Sequence, residues 1–460
     1  MMKILIKGAG DLATGIASRL YGAGHQILMT EIAEPLTVRR SVALSRAVYE
    51  KRAQVENMTG ILAASSEEAE EILKRGDIAV VVDEKARSRH WYCPDVIVDA
   101  ILAKRNLGTA ITDAPMVIGV GPGFTAGEDC HCVVETKRGH TLGDVIWNGS
   151  AIPNTGVPGN VGGYTTERLI RAAGDGVMEP KAQIGDYVEI GQTVAVTGGV
   201  PVTAQMSGIV RGMLQSGAQV KKGLKIGDID ARCEKFHCVT ISDKARAIGG
   251  GVLEAVSRFS QMKGRFATVI LAAGRAERFG ANKLKAVVHD RPLYEMALRR
   301  ANAFSGYPTA VVTGYEEIAK AAREKGFSVV YNHEPELGIS RSLKLGLTKI
   351  LEESPDIRGV LFSVCDQPNL KTSTVQRIFN EAFLHPGQII CAGHEEKRGN
   401  PVFWDRAYFQ ELMELEGDAG GRILMKRYPK KVRIVEAEQE ELSDIDRRED
   451  LECLRKEEGI

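Results

Sequence analysis

The stretch LAAGRAERFGANKL, residues 271–284, joins a glycine-containing loop to three cations, Arg275, Arg278 and Lys283, directly after the apolar run ATVILAAG. Glycine lets backbone amides approach phosphate oxygens, a following helix start adds its dipole, and fixed cations offset charge on a departing pyrophosphate. Taken singly these residues suit an ordinary surface loop; strand, glycine, arginine and lysine in this order suit a nucleoside triphosphate. Farther on, the apolar run GVLFSVC ends in Asp366-Gln367-Pro368. An acidic residue at the carboxyl end of a buried strand stands at the rim of an open α/β sheet, where ligands bind. There it can hold Mg²⁺, which characteristically takes one or two carboxylates plus phosphate oxygens and water. A turn-capping aspartate is the plainer alternative, and the glycine loop tips the balance to the metal. The loop's cations and Asp366 would then surround a bound triphosphate.

A second set of residues lies near the N-terminus. KILIKGAGDLATGIASRL sets Gly8, Gly10 and Ala13 at a strand-to-helix turn, and Glu31 closes the next apolar run, QILMTE. This pattern fits a dinucleotide-binding turn for NAD(P) or another nucleotide, with the acidic residue on ribose hydroxyls. A glycine turn that only packs a helix on its sheet has the same residues. ITDAPMVIGVGPGFTAGEDCHCVVETKRGHTLG then crowds Asp113, Cys130, His131, Cys132, Glu135, Arg138 and His140 into one span. Strand alternation sets both thiols opposite the imidazole, which argues against one metal held by all three. The two readings are buried thiols in a strand, or a cleft faced by Asp113, His131, Glu135 and His140.

These residues need elements to hold them. At 460 residues the chain exceeds a single core, given about 100–200 residues per domain. Runs such as DIAVVVDE and MVIGVG alternate with helical patterns and predict an α/β, Rossmann-like domain over residues 1–172. Residues 173–263 change to short glycine-punctuated runs followed by a helix, which predicts a small all-β module and a connecting helix. IGDYVEIGQTV and SGAQVKKGLKIG look like two related hairpins, and the module resembles the barrel-sandwich fold of biotinyl and lipoyl carriers. Its central turn, VTAQMSG, carries Gln205 and Met206 in place of a modifiable lysine, which favours structure over carriage. Residues 264–460 return to strands and helices and predict an α/β domain with a mostly parallel sheet. Its helix over residues 340–353 aligns Leu343, Leu347, Ile350 and Leu351.

Lys and Arg total 60, as do Asp and Glu, so no field favours nucleic acid as a partner. MMKILIKGAG enters a strand pattern without an export signal, and no apolar run approaches the roughly 18–20 residues of a membrane span. A cytoplasmic protein without membrane anchorage is expected. Its eight cysteines are expected as thiols.

LAAGRAERFGANKL, VTGYEE, NHEPELGISRSLKLGL, CDQP, RGNPVFW and LEGDAGGRIL follow one another in a telling order. From about Phe266 onward the chain resembles the molybdenum cofactor cytidylyltransferase family, a branch of the nucleotidyltransferase group. The resemblance implies that Leu271, Ala272, Ala273 and Gly274 border the nucleotide and that Arg278 and Lys283 meet its phosphates. It implies Asp366 for Mg²⁺, and Gly338, Ser340 and Ser342 for cytosine and ribose, although Ser340 can equally cap its helix. Asn400, Asp418 and Arg422 would line the acceptor side, with Arg422 either on a pterin phosphate or paired with Asp418. The end, LSDIDRREDL, stands where relatives have an aspartate-rich turn followed by Thr-Pro, which makes Asp446, or Asp444, the candidate second metal ligand, while Arg447 and Arg448 in place of Thr-Pro count against that assignment. Ala276 stands where relatives often carry serine.

The span up to about Gly264, with NTGVPGNVGGYTTERLIRA, resembles the selenium-dependent molybdenum hydroxylase maturation family, whose Rossmann portion is similar to xanthine dehydrogenase accessory factors. The two resemblances imply a transferase that moves CMP from CTP, with Mg²⁺, onto molybdopterin or the molybdenum cofactor, serving a molybdenum hydroxylase apoprotein. A non-catalytic maturation chaperone and a nicotinamide-dependent oxidoreductase are the alternatives.

Overall fold

The computed structural model describes residues 1–154, 156, 159–274, 282–288, 290–418, 420–447 and 449–451. The chain forms two compact units, Met1–Val256 and Ser257–Ile460. The division falls inside the helix Asp243–Met262, whereas composition suggested a boundary after Lys263. No described helix is long and apolar enough to cross a membrane.

The first unit has a nine-stranded sheet. Its order is Val145–Ile146, Cys132–Val134, Met116–Val120, Val96–Asp99, Lys3–Lys7, Gln26–Glu31, Ile78–Val82, Met58–Ala63 and Arg52–Val55. Neighbours run parallel from Cys132–Val134 to Met58–Ala63, and an antiparallel strand closes each edge. The central strands are buried on both faces, which explains their near-continuous apolar runs. The helix Asp11–Gly22 packs closely on the later helix Asp243–Met262: a Cβ on Gly15 would lie 2.5 Å from that of Ala245.

The same unit contains the β module. One four-stranded sheet runs Leu169–Arg171, Lys225–Asp230, Gly208–Met213, Tyr187–Val188, and the other runs Val200–Thr203, Thr193–Thr197, Gly176–Pro180, Gln219–Val220. Their apolar residues form one core with Met178, Val194, Val210, Met213 and Ile229. Met206, in the turn where a carrier would present lysine, is buried in that core.

The second unit has a seven-stranded sheet ordered Ser328–Tyr331, Thr309–Thr313, Phe266–Ala272, Gly359–Val364, Lys397–Asp405, Ile389–His394, Val432–Glu436. The first four run parallel, and Lys397–Asp405 is antiparallel to both its neighbours. The helix Ile339–Glu353 lies on this sheet through Leu343, Leu347 and Ile350, with Leu351 at the margin. It begins where Gly338 adopts φ +84°. Gly346 makes the close approach possible, since a Cβ there would lie 2.3 Å from a methyl of Val269. Gly346→Ala gains about 1 kcal/mol of helix propensity but overpacks the interface, a cost of about 1–3 kcal/mol. The backbone-proximal methyl gives overpacking the larger share, so we expect a lower unfolding midpoint for this unit; an unchanged or higher midpoint in thermal denaturation would contradict the packing described.

Candidate active site

The strands Phe266–Ala272 and Gly359–Val364 are parallel neighbours, with Leu271 opposite Val364. Their carboxyl ends therefore deliver Gly274 and Asp366 to the same edge of the sheet. Lys283 opens a short turn, Lys283–Lys285, which the Asn282 side chain caps by accepting from Leu284 N–H at 3.1 Å. Leu284 is buried with Ile270, Ala272 and Cys365, which anchors the turn beside the strand ends. Lys283 Nζ reaches Asp366 Oδ2 at 2.7 Å and Asp446 Oδ1 at 2.9 Å.

Burial alone would lower the Lys283 pKa, but the charges and hydrogen bonds of Asp366 and Asp446 outweigh it and raise the value. The ammonium is thus held charged. Asp444 shows the opposite balance: partial desolvation, then the Asp366 and Asp446 carboxylates, push it up to about 6. Its surface exposure leaves solvent to screen much of that crowding.

Asp446 arrives from far along the chain. Ile445 is buried, and its N–H donates to the Asp366 carbonyl at 2.9 Å, while Gln367 Nε2 donates to the Leu442 carbonyl at 3.2 Å. The turn after Asp366 is braced from below by Arg300, whose buried guanidinium donates to the Gln367 carbonyl at 3.0 Å. Burial lowers the Arg300 pKa to about 10. Tyr315 donates its hydroxyl to the Gly274 carbonyl at 3.3 Å and so ties the other side of the site.

A cavity of about 500 Å³ opens between these groups, lined by Leu271, Ala273, Gly274, Lys283, Gly338, Ser342, Asp366, Asp418 and Asp446 among others. Nine positions singled out by residue type or resemblance therefore meet in one place. Asp418 gets there by a tight backbone contact: Ser340 N–H donates to the Gly417 carbonyl at 3.2 Å, and a Cβ on Gly338 would lie 2.3 Å from the Gly417 carbonyl carbon. Leu284, Pro335, Glu336, Ile339 and Cys365 also line the cavity; Pro335 and Glu336 stand in NHEPELG, where residue type alone assigns those side chains no role. Asn332, in the same segment, donates to Ser342 Oγ at 2.9 Å and fixes that hydroxyl.

Other expected residues fall elsewhere. Ala272 is buried in its strand. Ser340 is buried beneath the Gly417 contact, is absent from the cavity lining, and lies inside its helix, whose N-cap is Gly338. Asn400 is in the strand Lys397–Asp405, and Arg422 begins the exposed end of the helix Arg422–Arg427; neither lines this cavity, and no ion pair joins Arg422 to Asp418. Arg275, Ala276, Arg278 and Arg448 lie outside the described residues.

Among the described residues, no group of three His, Cys, Asp or Glu side chains is arranged to hold a metal by itself. One donor is nevertheless open: Asp366 Oδ1 is buried without a hydrogen-bond partner. That atom fits a magnesium-type cation, which takes few protein ligands and completes its shell with phosphate and water.

Residues 268–432 match the family model described as the MobA-like NTP transferase domain. The second unit carries a MobA-like NTP transferase domain. The chain is also 50% identical over 253 residues to the protein YqeB of Escherichia coli (strain K12), described as uncharacterized, covering 55% of this chain and 47% of that one. It thus spans about half the length of that curated relative. Among solved structures, Rv0371c from Mycobacterium tuberculosis H37Rv is 26% identical, covering 41% of this chain and 96% of that one at TM-score 0.37. A nucleotidyl transferase from Methanothermobacter thermautotroptrophicus is 20% identical, covering 42% and 97% at TM-score 0.37.

Outside the MobA-like domain, the groups proposed for the N-terminal unit have intramolecular partners. Gly8 has φ +93°, and Ala9 is fully buried. Glu31 accepts Ala9 N–H and Ile32 N–H, each at 2.9 Å, so each carboxylate oxygen braces the turn itself. Burial raises its pKa against those hydrogen bonds. Gly10 caps the helix and Ala13 is buried in it. The cleft reading of the second cluster is corrected by burial. His131 is buried with Nδ1 accepting Val117 N–H at 2.9 Å, and Glu135 is buried while accepting the amides of Thr136, Lys137 and Ile152. Asp113 accepts Ala110 N–H and pairs with Arg89, whereas His140 is exposed. Cys130 and Cys132 are both buried, and burial pushes the Cys130 thiol up to about 12.

The Gly338 contact yields a test of the cavity's construction. Gly338→Ala imposes a left-handed conformation on a side chain and drives its methyl into Gly417, at a cost of about 1–3 kcal/mol. Hydrogen exchange should then report loss of protection at the Ser340 amide; full retention would show that the Gly338–Gly417 contact is not the constraint.

Proposed function

We propose that the MobA-like domain transfers CMP from CTP to the terminal phosphate of molybdopterin or its molybdenum form, releasing pyrophosphate. The observation that carries this reading is the convergence of the glycine strand end, the Lys283 ammonium and the Asp366 carboxylate on one cavity.

An acceptor phosphate oxygen attacks the α-phosphorus in line; the bond to the β-phosphate bridging oxygen breaks, and pyrophosphate leaves with the electron pair. The acceptor is already anionic at neutral pH, so a protein base has little to add. Lys283 exchanges part of its pairing with Asp366 and Asp446 for the triphosphate and offsets the charge that develops on pyrophosphate. Arg278 is assigned the same duty from its place in the glycine loop. The backbone around Gly274 and Gly338 borders the nucleotide, and Ser342, oriented by Asn332, offers a fixed hydroxyl to it. Asp418 faces the acceptor side of the cavity. Bound at Asp366, with Asp446 as a second carboxylate, Mg²⁺ would neutralise phosphate oxygens and favour displacement.

The sequence motifs at both ends support placing this reaction in the maturation of a selenium-dependent molybdenum hydroxylase, whose apoprotein would receive the product. The test is pyrophosphate release by the full chain with each of the four NTPs, purified cofactor and Mg²⁺. CTP should be the preferred donor. Asp366→Ala and Lys283→Ala should each lower turnover by about 10²–10³-fold, the scale of removing one preorganised electrostatic group, with circular dichroism unchanged. Near-normal turnover in either variant would defeat the mechanism, and preference for another NTP would defeat the assignment of the base.

A further inference from the structure

The helix Leu293–Asn302 carries a support for each of the three charged groups that meet in the cavity. Leu284, next to Lys283, is buried in one apolar cluster with Tyr294, Ala297 and Leu298. Ile445, next to Asp446, is buried with Leu293. The third support is polar: Arg300 Nη2 donates to the carbonyls of Gln367 and Pro368, at 3.0 and 3.4 Å, directly after Asp366. Leu293 and Arg300 stand seven positions apart, about two turns, and so share one side of the helix.

The polar support is the costly one. Arg300 is only 9% exposed and lies among Ile270, Ala301, Phe304 and Leu361. Among the described residues no carboxylate is within ion-pair distance of it, and its Nη1 has no hydrogen-bond partner. Burying a guanidinium without a counter-charge is unfavourable, and an apolar side chain would fill the space without that penalty. What an apolar side chain could not do is hold two carbonyls. Those carbonyls belong to the turn that decides where the Asp366 side chain stands. The same turn is tied to the 442–445 segment by the Ile445 amide on the Asp366 carbonyl and by the Gln367 side chain on the Leu442 carbonyl. Arg300 holds it from the helix.

We propose that Arg300 is a positioning residue for the cation site: by clamping the Gln367 and Pro368 carbonyls to the helix that also anchors Ile445, it sets the placement of Asp366 relative to Asp446 and hence the affinity for a divalent cation. The inference rests on the metal role given to Asp366 under the proposed function. Arg300 does not line the cavity, so it acts through the backbone and leaves the nucleotide untouched. Loss of the clamp therefore weakens the cation before it weakens the nucleotide.

The test is Mn²⁺ binding to the full chain, read by electron paramagnetic resonance with and without CTP, with pyrophosphate release followed in parallel. Arg300→Met should weaken Mn²⁺ by about 10–100-fold, the range for losing a group that orients a metal ligand, and should lower kcat while leaving KM for CTP nearly unchanged. Arg300→Lys keeps a charge and a donor but offers one ammonium for two carbonyls, so its Mn²⁺ affinity should fall between those of the methionine variant and the wild type. Leu412→Ala truncates a buried side chain on the helix Phe409–Glu414; it should lower the unfolding midpoint and leave Mn²⁺ affinity unchanged, which separates positioning from a general loss of stability. The inference is overturned if Arg300→Met, or Arg300→Lys where the methionine variant does not fold, binds Mn²⁺ as tightly as the wild type, or if Leu412→Ala weakens it equally. A wild type that binds Mn²⁺ in the expected order against its variants but releases no pyrophosphate would defeat the proposed reaction and retain this inference; a wild type with no saturable Mn²⁺ binding would overturn both.

Discussion

An ammonium held between two carboxylates sets the terms for the MobA-like domain. Lys283 is mostly buried, and a lone ammonium so placed would tend to lose its proton. Asp366 and Asp446 prevent this, and each in turn needs the lysine, because two carboxylates this close repel one another. The pairing ties together three remote parts of the chain: the turn after the first strand, the end of the strand Gly359–Val364, and the segment around Ile445. It is also an arrangement poised for exchange. In the reaction we propose, a triphosphate would bring anionic oxygens to replace the carboxylates around Lys283, and the carboxylates so released would be hard oxygen donors for a divalent cation. Closed ion pairing and the proposed ligand binding would thus use the same three groups.

Glycine does the complementary work where atoms must come closer than a side chain permits. Gly338 lets the 417–418 segment lie against the start of the helix Ile339–Glu353, and Gly346 lets that helix settle on Val269. The cavity is therefore bounded by backbone on one side and by charges on the other. Close backbone contacts of this kind suit the positioning on which the proposed reaction would depend.

Much of this was legible from residue order. Apolar runs followed by Gly274 and Asp366 identified parallel strand ends, and strands of one sheet place their carboxyl ends together. What spacing could not show was which side chains are already occupied. Ser340 and Ser342 stand two residues apart in a helix, so they face different directions; one is trapped under Gly417 and the other reaches the cavity with Asn332 behind it. Arg300 reads as one of many surface arginines until its burial under the Gln367 carbonyl is seen. At the N-terminus, crowding of polar residues suggested a cleft. There the physical demand was internal: irregular buried backbone needs acceptors, and Glu135 supplies them to three amides. Glu31 does the same for the glycine turn.

The segment LSDIDRR is positioned by its apolar residue. Ile445 is the anchor, buried against Val288 and Leu293 and bonded through its amide to the Asp366 carbonyl. An extended chain alternates its side chains, so the residues flanking a buried anchor both turn toward the open side. Asp444 and Asp446 consequently flank Asp366, one crowded by its neighbours and the other paired with Lys283. Asp450 accepts the amides of both Asp446 and Arg447, at 2.9 and 2.7 Å, and holds the turn that follows. The acidic position therefore depends on an apolar anchor and a backbone bond more than on the arginines that follow it.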